Sequence, residues 1–330
     1  MTASAARRVS RDGRAAPTRA SLPWPRASGE VQVPDAEAYK DWFFVVGTGR
    51  CGSSLFHEIL ARHEQVGFIS NVEDRIRAAG RLGRWNNRVF AAVPPALTEK
   101  GRPRFAPSEG YRILDAEVSP ALSRPLRDLT AEDLTPWLAR RLRATFEARA
   151  ARQPTATFSH KFTGWPRTRL LGAAFPGCRF VHVVRDGRAV ANSLLQMPWW
   201  GGYERVGSWR YGPLPPAYQE VWDRSGRLFP VLAALAWRML MDAYADAERA
   251  AAPGTWLTVR YEDVVAEPRR HFERILDHVG LTWSPRFEAG LRRHRLRSAD
   301  VERFRRDLDP RDVAAMEDVL APVLRRYGYL

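Results

Sequence analysis

The chain has 330 residues, with 52 Lys+Arg against 37 Asp+Glu and a formal net charge of +15. At 45% hydrophobic residues it is no disordered chain, and no apolar run approaches the roughly 20 residues needed to span a bilayer. Two cysteines, Cys51 and Cys178, exclude a disulfide scaffold and a Cys-rich zinc site and point to a reducing, cytoplasmic compartment. The basic excess is nearly all Arg; it suits anionic ligands, and a nucleic acid bound through charge alone is one competing partner.

Residues 1–38 are rich in Ala, Arg, Ser and Pro, carry Arg7, Arg8, Arg11, Arg14, Arg19 and Arg26, and show no apolar periodicity. They read as a disordered basic tail without an export signal, and residues 39–330 as one domain. Trp42-Phe43-Phe44-Val45-Val46 has the continuous apolar character of a strand buried on both faces. A glycine-rich turn follows, and then Leu55, Phe56, Ile59 and Leu60 recur at helical spacing. Val66–Ile69 reads as a second strand, and residues 80–112, rich in Gly, Pro and Arg, as an irregular excursion. Thr130 and Asp133 predict a capping box for a helix whose face is Leu134, Trp137, Leu138, Leu142 and Phe146. Thr155–Ser159 is the next predicted strand, with a helix through Leu170, Leu171 and Phe175 after it; Phe180–Val184 is another, leading to a helix from about Asp186 to Gln196. Residues 197–216 form a long aromatic loop, and a helix over Leu228–Ala251 leads into a last strand, Trp256–Arg260. This alternation predicts a three-layer α/β/α fold around a mostly parallel sheet.

Two segments carry chemistry. Gly47-Thr-Gly-Arg-Cys-Gly-Ser-Ser54 has the spacing of a phosphate-binding loop, except that Ser53 stands where the lysine of a nucleoside triphosphatase belongs. Its glycines let backbone N–H groups converge at the positive end of a helix, so an oxyanion belongs there, with Arg50 as the fixed charge. The second segment runs from Phe180 to Ser193. Its strand ends on Arg185, at the edge where ligands of parallel sheets collect, and Ser193 lies about two helical turns further on. A guanidinium and a hydroxyl can then converge on one phosphate; the other reading pairs Arg185 with Asp186 or a neighbouring carboxylate and leaves Ser193 an ordinary helix residue. Asp186 keeps a competing reading open, a P-loop-type nucleotide kinase or hydrolase with magnesium on that acid.

Taken together, these segments resemble the sulfotransferases that use 3′-phosphoadenosine 5′-phosphosulfate (PAPS). Gly47–Leu55 is similar to their 5′-phosphosulfate loop, Arg185 to Ser193 to their 3′-phosphate element, and His160-Lys-Phe-Thr163 to their Asp-Lys-Thr-Pro segment. Phe175-Pro-Gly-Cys-Arg-Phe-Val-His-Val-Val-Arg-Asp and Val259-Arg-Tyr-Glu-Asp-Val extend the likeness, and the closing Tyr327-Gly-Tyr resembles bacterial members. The resemblance implies a P-loop-like fold and transfer of the sulfuryl group of PAPS to a hydroxyl, or as second choice an amine. The acceptor would be a small molecule, lipid or carbohydrate, with neither metal nor nucleic acid.

In residues, it implies that Cys51, Gly52, Ser53 and Ser54 hold the 5′-phosphosulfate. Arg185 and Ser193 hold the 3′-phosphate, with Tyr261 nearby unless that ring is a plain core tyrosine. Arg50 and Lys161 neutralise the charge that develops on the bridging oxygen. Cys51 stands where the family usually has Ser, and the segment after Lys161 lacks the family's Pro. For the base that takes the acceptor's proton, Glu73 is the first choice, because related enzymes place a glutamate in this region. Asn71 sits closer to the expected column, so Asp74 and His160 stay open. Trp199, Trp200, Trp209 and the neighbouring Tyr203 and Tyr211 either line the acceptor pocket, the first choice, or plug the core beneath an Arg-rich surface. Arg292, Arg293, Arg295 and Arg297 form a basic cluster that either covers the donor phosphates or is a solvated helix face.

Overall fold

A computed structural model describes residues 41–76, 82–93, 105–204, 208–209, 211–294, 296 and 302–330. The basic tail, Arg295 and Arg297 lie outside the described residues. Asp41–Gly47 forms strand β1. Its side chains alternate between two cores: Trp42, Phe44 and Val46 enter one apolar cluster, Phe43 and Val45 another. The continuous apolar run is the signature of that two-sided burial. Phe44 alone meets Phe146, Phe162, Phe175 and Phe180 at 5.7–6.4 Å between ring centres, and cutting such a ring to Ala costs about 3–5 kcal/mol.

Strands β2 (Val66–Phe68), β3 (Thr157–Thr163), β4 (Arg179–Val184) and β5 (Trp256–Arg260) complete a five-stranded sheet in the order β2-β3-β1-β4-β5. Every pairing is parallel, with Gly47 beside Thr163 and Val46 beside His182. The chain leaves central β1 for the β2 edge, returns through β3, and then crosses to β4. That reversal opens a crevice at the carboxyl end of β1, the usual ligand position in such sheets. Helix α1 (Ser53–Leu60) covers one face with the helices Pro268–His278 and Pro285–Arg292, and Pro136–Arg152 and Thr168–Ala174 cover the other. A third cluster joins the helix Phe229–Arg249 to Gly187–Leu195 and Pro310–Arg326.

Three boundaries differ from the sequence reading. Strand β3 continues through His160 and Lys161 to Thr163, because those polar residues find partners on both faces of the sheet. The Thr130–Asp133 box closes a separate short turn, while the long helix starts at Pro136 under a Thr135 cap. Within the 80–112 excursion, helix α3 (Asn86–Ala92) packs Phe90 against Phe68 and Ala106. Helix α2 (Asn71–Arg75) is the short turn between β2 and that excursion. Among the described residues no helix is long and apolar enough to cross a membrane, and both cysteines are free and buried.

Candidate active site

The turn after β1 is shaped by two close approaches. A Cβ on Gly47 would sit 2.5 Å from Cys51 Sγ and 2.8 Å from the Val183 carbonyl, so the bare Cα lets Cys51 fold under the loop. Gly52 has φ +93°, and a Cβ there would meet the Tyr261 ring at 2.4 Å; only glycine satisfies both demands. Helix α1 then begins without a side-chain cap and without an acid in its first turn. Its positive end therefore faces the crevice uncompensated. Arg50 holds a left-handed backbone, φ 56°, which costs a non-glycine residue about 1–2 kcal/mol. Such strain concentrates at functional loops.

Arg50 and the β4 end make one wall. Arg50 Nε donates to Ser193 Oγ at 2.9 Å, and Arg185 Nη1 donates to the Arg50 carbonyl at 3.2 Å. The Arg185 guanidinium lies 4.9 Å over the Tyr261 ring, and its Nε is buried without a partner. Burial, and then the Arg185 cation, lower the Arg50 pKa from its ordinary value. Among the described residues neither guanidinium pairs with a carboxylate. This wall is a doubly positive surface whose charge suits an anion. Asp186 does not serve it: both its oxygens bond Arg188, at 2.8 Å from Nη2 and 3.1 Å from Nε, and Arg188 also reaches Glu317 at 2.7 Å. A carboxylate so committed, outside the crevice lining, corrects the magnesium reading of Asp186.

The opposite wall is lined by Thr163 of β3 and by Glu109, with Lys161 buried outside the lining, as Ser193 and Tyr261 also are outside it. Strand alternation turns Lys161 toward α1, where Nζ donates to Ser54 Oγ at 2.6 Å and pairs with the Glu109 carboxylate. Thr163 Oγ1 donates to the other Glu109 oxygen at 3.3 Å. Burial pushes the Glu109 carboxyl up, but the Lys161 ammonium with hydrogen bonds from Lys161 and Tyr111 outweighs it and holds the group below the usual carboxylate range. Sequence reasoning missed Glu109. It lies in the stretch read as irregular, and its only local mark is a position between Pro107 and Gly110, close to the return toward the sheet.

The three expected bases do other work. Glu73 does not line the crevice; it is buried, and one oxygen accepts from Ser70 N at 2.9 Å, from Ser70 Oγ at 3.1 Å and from Asn86 Nδ2. It closes the capping box of α2. Asp74 accepts from Ser108 Oγ at 3.2 Å and from the backbone N–H groups of Arg112 at 3.0 Å and Ile113 at 3.2 Å. His160 faces away from Lys161, buried against Phe146 and Phe162. Its Nε2–H donates to the Glu109 carbonyl at 3.1 Å, and burial lowers its pKa to about 3.

The crevice has a volume of about 830 Å³; besides the loop and Glu109, it is lined by Tyr111, Asp115, Arg124, Trp165, Trp199 and Tyr211 among others. Trp200 and Trp209 are corrected to core residues. Both are almost fully buried in the cluster under the helix Phe229–Arg249, with Trp209 Nε1 donating to the Gly212 carbonyl at 2.6 Å. Arg292 pairs with Glu288 at 2.6 Å and Arg293 bonds the Ala91 carbonyl; neither lines the crevice.

No curated protein matches the sequence. The fold is similar to sulfotransferase STF9 from Mycobacterium avium at 14% identity and a TM-score of 0.53, over 88% of this chain and 77% of that one. It is also similar to sulfotransferase STF1 from Mycobacterium tuberculosis H37Rv at 16% identity and a TM-score of 0.51, over 86% and 77%. At these identities the likeness speaks for the fold. The model of the sulfotransferase family matches residues 43–285, from β1 through the glycine-rich turn and the end of β4 to Pro285, past the two helices that follow β5. The chain belongs to the sulfotransferase family.

Proposed function

We propose that this sulfotransferase takes the sulfuryl group from PAPS and passes it to a hydroxyl, or secondarily an amine, of a small molecule, lipid or carbohydrate in the cytoplasm. The observation that carries the donor is the unneutralised pair Arg50 and Arg185, with a buried, unpartnered Arg185 Nε, beside Ser193 and the open start of α1. Two clustered cations that pair with no carboxylate among the described residues suit a carrier with anions at both ends. In this reading the N–H groups from Cys51 to Ser54 and the Ser53 and Ser54 hydroxyls hold the 5′-phosphosulfate. Arg185 and Ser193 hold the 3′-phosphate, with the Tyr261 ring supporting Arg185. Arg50 and Lys161 face the bridging oxygen as its bond to sulfur breaks. PAPS supplies an activated sulfuryl group; the protein supplies in-line positioning and charge. A sulfuryl group carries less charge than a terminal phosphoryl group, so these side chains meet it without a metal. The catalytic unit is residues 39–330, with the basic tail outside it.

Calorimetric titration with 3′-phosphoadenosine 5′-phosphate (PAP) against adenosine 5′-phosphate tests the donor. Two charge-assisted bonds to the 3′-phosphate predict a preference for PAP of about 100-fold or more. Equal affinities sink the reading. Binding to DNA with steep salt dependence, and no saturable PAP site, favours the charge-driven alternative instead.

A further inference from the structure

We propose that Glu109 is the base that accepts the acceptor's proton, a role that rests on the sulfuryl-transfer reading above. Among the described residues lining the crevice the acids are Glu109 and Asp115. Asp115 is already tied to Arg124 at 3.0 Å and to Ser123. Glu109 is joined through one ammonium to Ser54, on the loop that faces the transferred group.

The segment bearing Glu109 is built to hold it. Asn71 N donates to the Ala106 carbonyl at 2.9 Å and Ser108 N to the Ile69 carbonyl at 2.8 Å, binding the segment to the end of β2. Asp74 anchors it on both sides of Glu109, through Ser108 and through Arg112 and Ile113, and His160 grips the Glu109 carbonyl from inside the sheet. Two of the residues expected to be the base are thus positioning residues for a third. A carboxylate clamped at this many points is preorganised for transfer.

Its ion pair suits the chemistry. As the acceptor oxygen bonds to sulfur, its hydroxyl becomes strongly acidic, so a carboxylate kept ionised by a neighbouring cation suffices as base. The acceptor O–S bond forms, the bond from sulfur to the 5′-phosphate oxygen breaks, and its electron pair stays on that phosphate. The acceptor's proton goes to Glu109 and from there to solvent. Protonating Glu109 also releases Lys161 from its partner when the leaving phosphate gains charge. One event removes the proton and frees the cation.

Single-turnover consumption of PAPS by the full chain, with water as the acceptor, supplies the test. Glu109→Gln should lower the rate by about 10²–10⁴-fold without weakening PAP, since Arg50, Arg185 and Ser193 are untouched and Lys161 loses the carboxylate that neutralises it. The native rate should be flat from about pH 6 to 8, whereas that of Glu109→Gln should rise with pH because hydroxide must now take the proton. Glu109→Asp should stay flat in pH at a rate about 10–100-fold down. A Glu109→Gln rate within tenfold of native, or a large loss with a flat pH profile, overturns the proposal; the latter leaves Glu109 only a Lys161-positioning residue. Failure of the donor reading looks different: the native chain itself would not prefer PAP.

Discussion

The two walls of the crevice share a sheet edge but handle charge in opposite ways. On the β4 side, Arg185 stands on a tyrosine ring and Arg50 reaches a serine hydroxyl, and neither pairs with a carboxylate among the described residues. On the β3 side, Lys161 is neutralised by Glu109 and braced by Ser54. Leaving two cations unpaired destabilises the empty protein, and a bound anion reverses that penalty. Pairing a cation removes most of its pull on a resting anion but lets a proton shift release it. The first arrangement suits binding and the second suits turnover, so substitutions on the two sides should separate affinity from rate.

The largest expected effect tests that separation directly. Lys161→Ala should cut sulfuryl transfer by about 10²–10³-fold, the usual loss when a group aimed at developing charge is removed, with PAP affinity nearly unchanged by calorimetry. Equal losses in both would merge the two walls into one binding site. Arg185→Ala should weaken PAP by about 10–100-fold, the worth of one or two charge-assisted bonds; a variant that still prefers PAP as strongly as the native chain removes Arg185 from the 3′-phosphate.

Smaller effects come from residues outside both walls. Glu73→Ala takes away an acceptor shared by Ser70 and Asn86 and should lower stability by about 1–3 kcal/mol in urea unfolding, with turnover per folded molecule unaltered. A rate loss of a hundredfold would restore Glu73 as a base candidate. His160 and His182 are neutral in the fold, burial holding each down to about 3, against about 6.5 in an unfolded chain. The unfolded chain therefore binds protons that the fold refuses. Their contribution is fully present above about pH 6.5 and is lost as pH falls toward 3. Moving from pH 7 to 5 should cost about 2–4 kcal/mol in total, visible as a lower urea midpoint; identical midpoints would mean the rings take up protons in place.

What could be read from the residues follows how local each feature is. The loop from Gly47 to Ser54 and the Arg185–Ser193 pair each occupy one strand, turn and helix, so spacing alone identifies them. Lys161 was reached only through the family resemblance, and the strand carrying it was cut short because alternating polar residues disguised a buried strand. The Glu109 position was not legible, since a distant segment is carried beside β2 and β3 by backbone bonds that leave no periodic trace. Glu73 illustrates the same blindness: an acid three residues after a serine is also the mark of a helix start, and here that demand prevailed. Trp200 and Trp209 differ from Trp199 only in what packs over them, and composition is silent on that.

The twisted backbone at Arg50 has a bearing on engineering. Glycine would relax that dihedral and regain about 1 kcal/mol, so a screen for heat tolerance alone would reward Arg50→Gly while discarding the guanidinium reaching Ser193. Thermostabilised descendants of this chain chosen without an activity gate should drift toward well-folded, inert proteins, with this position among the first to change.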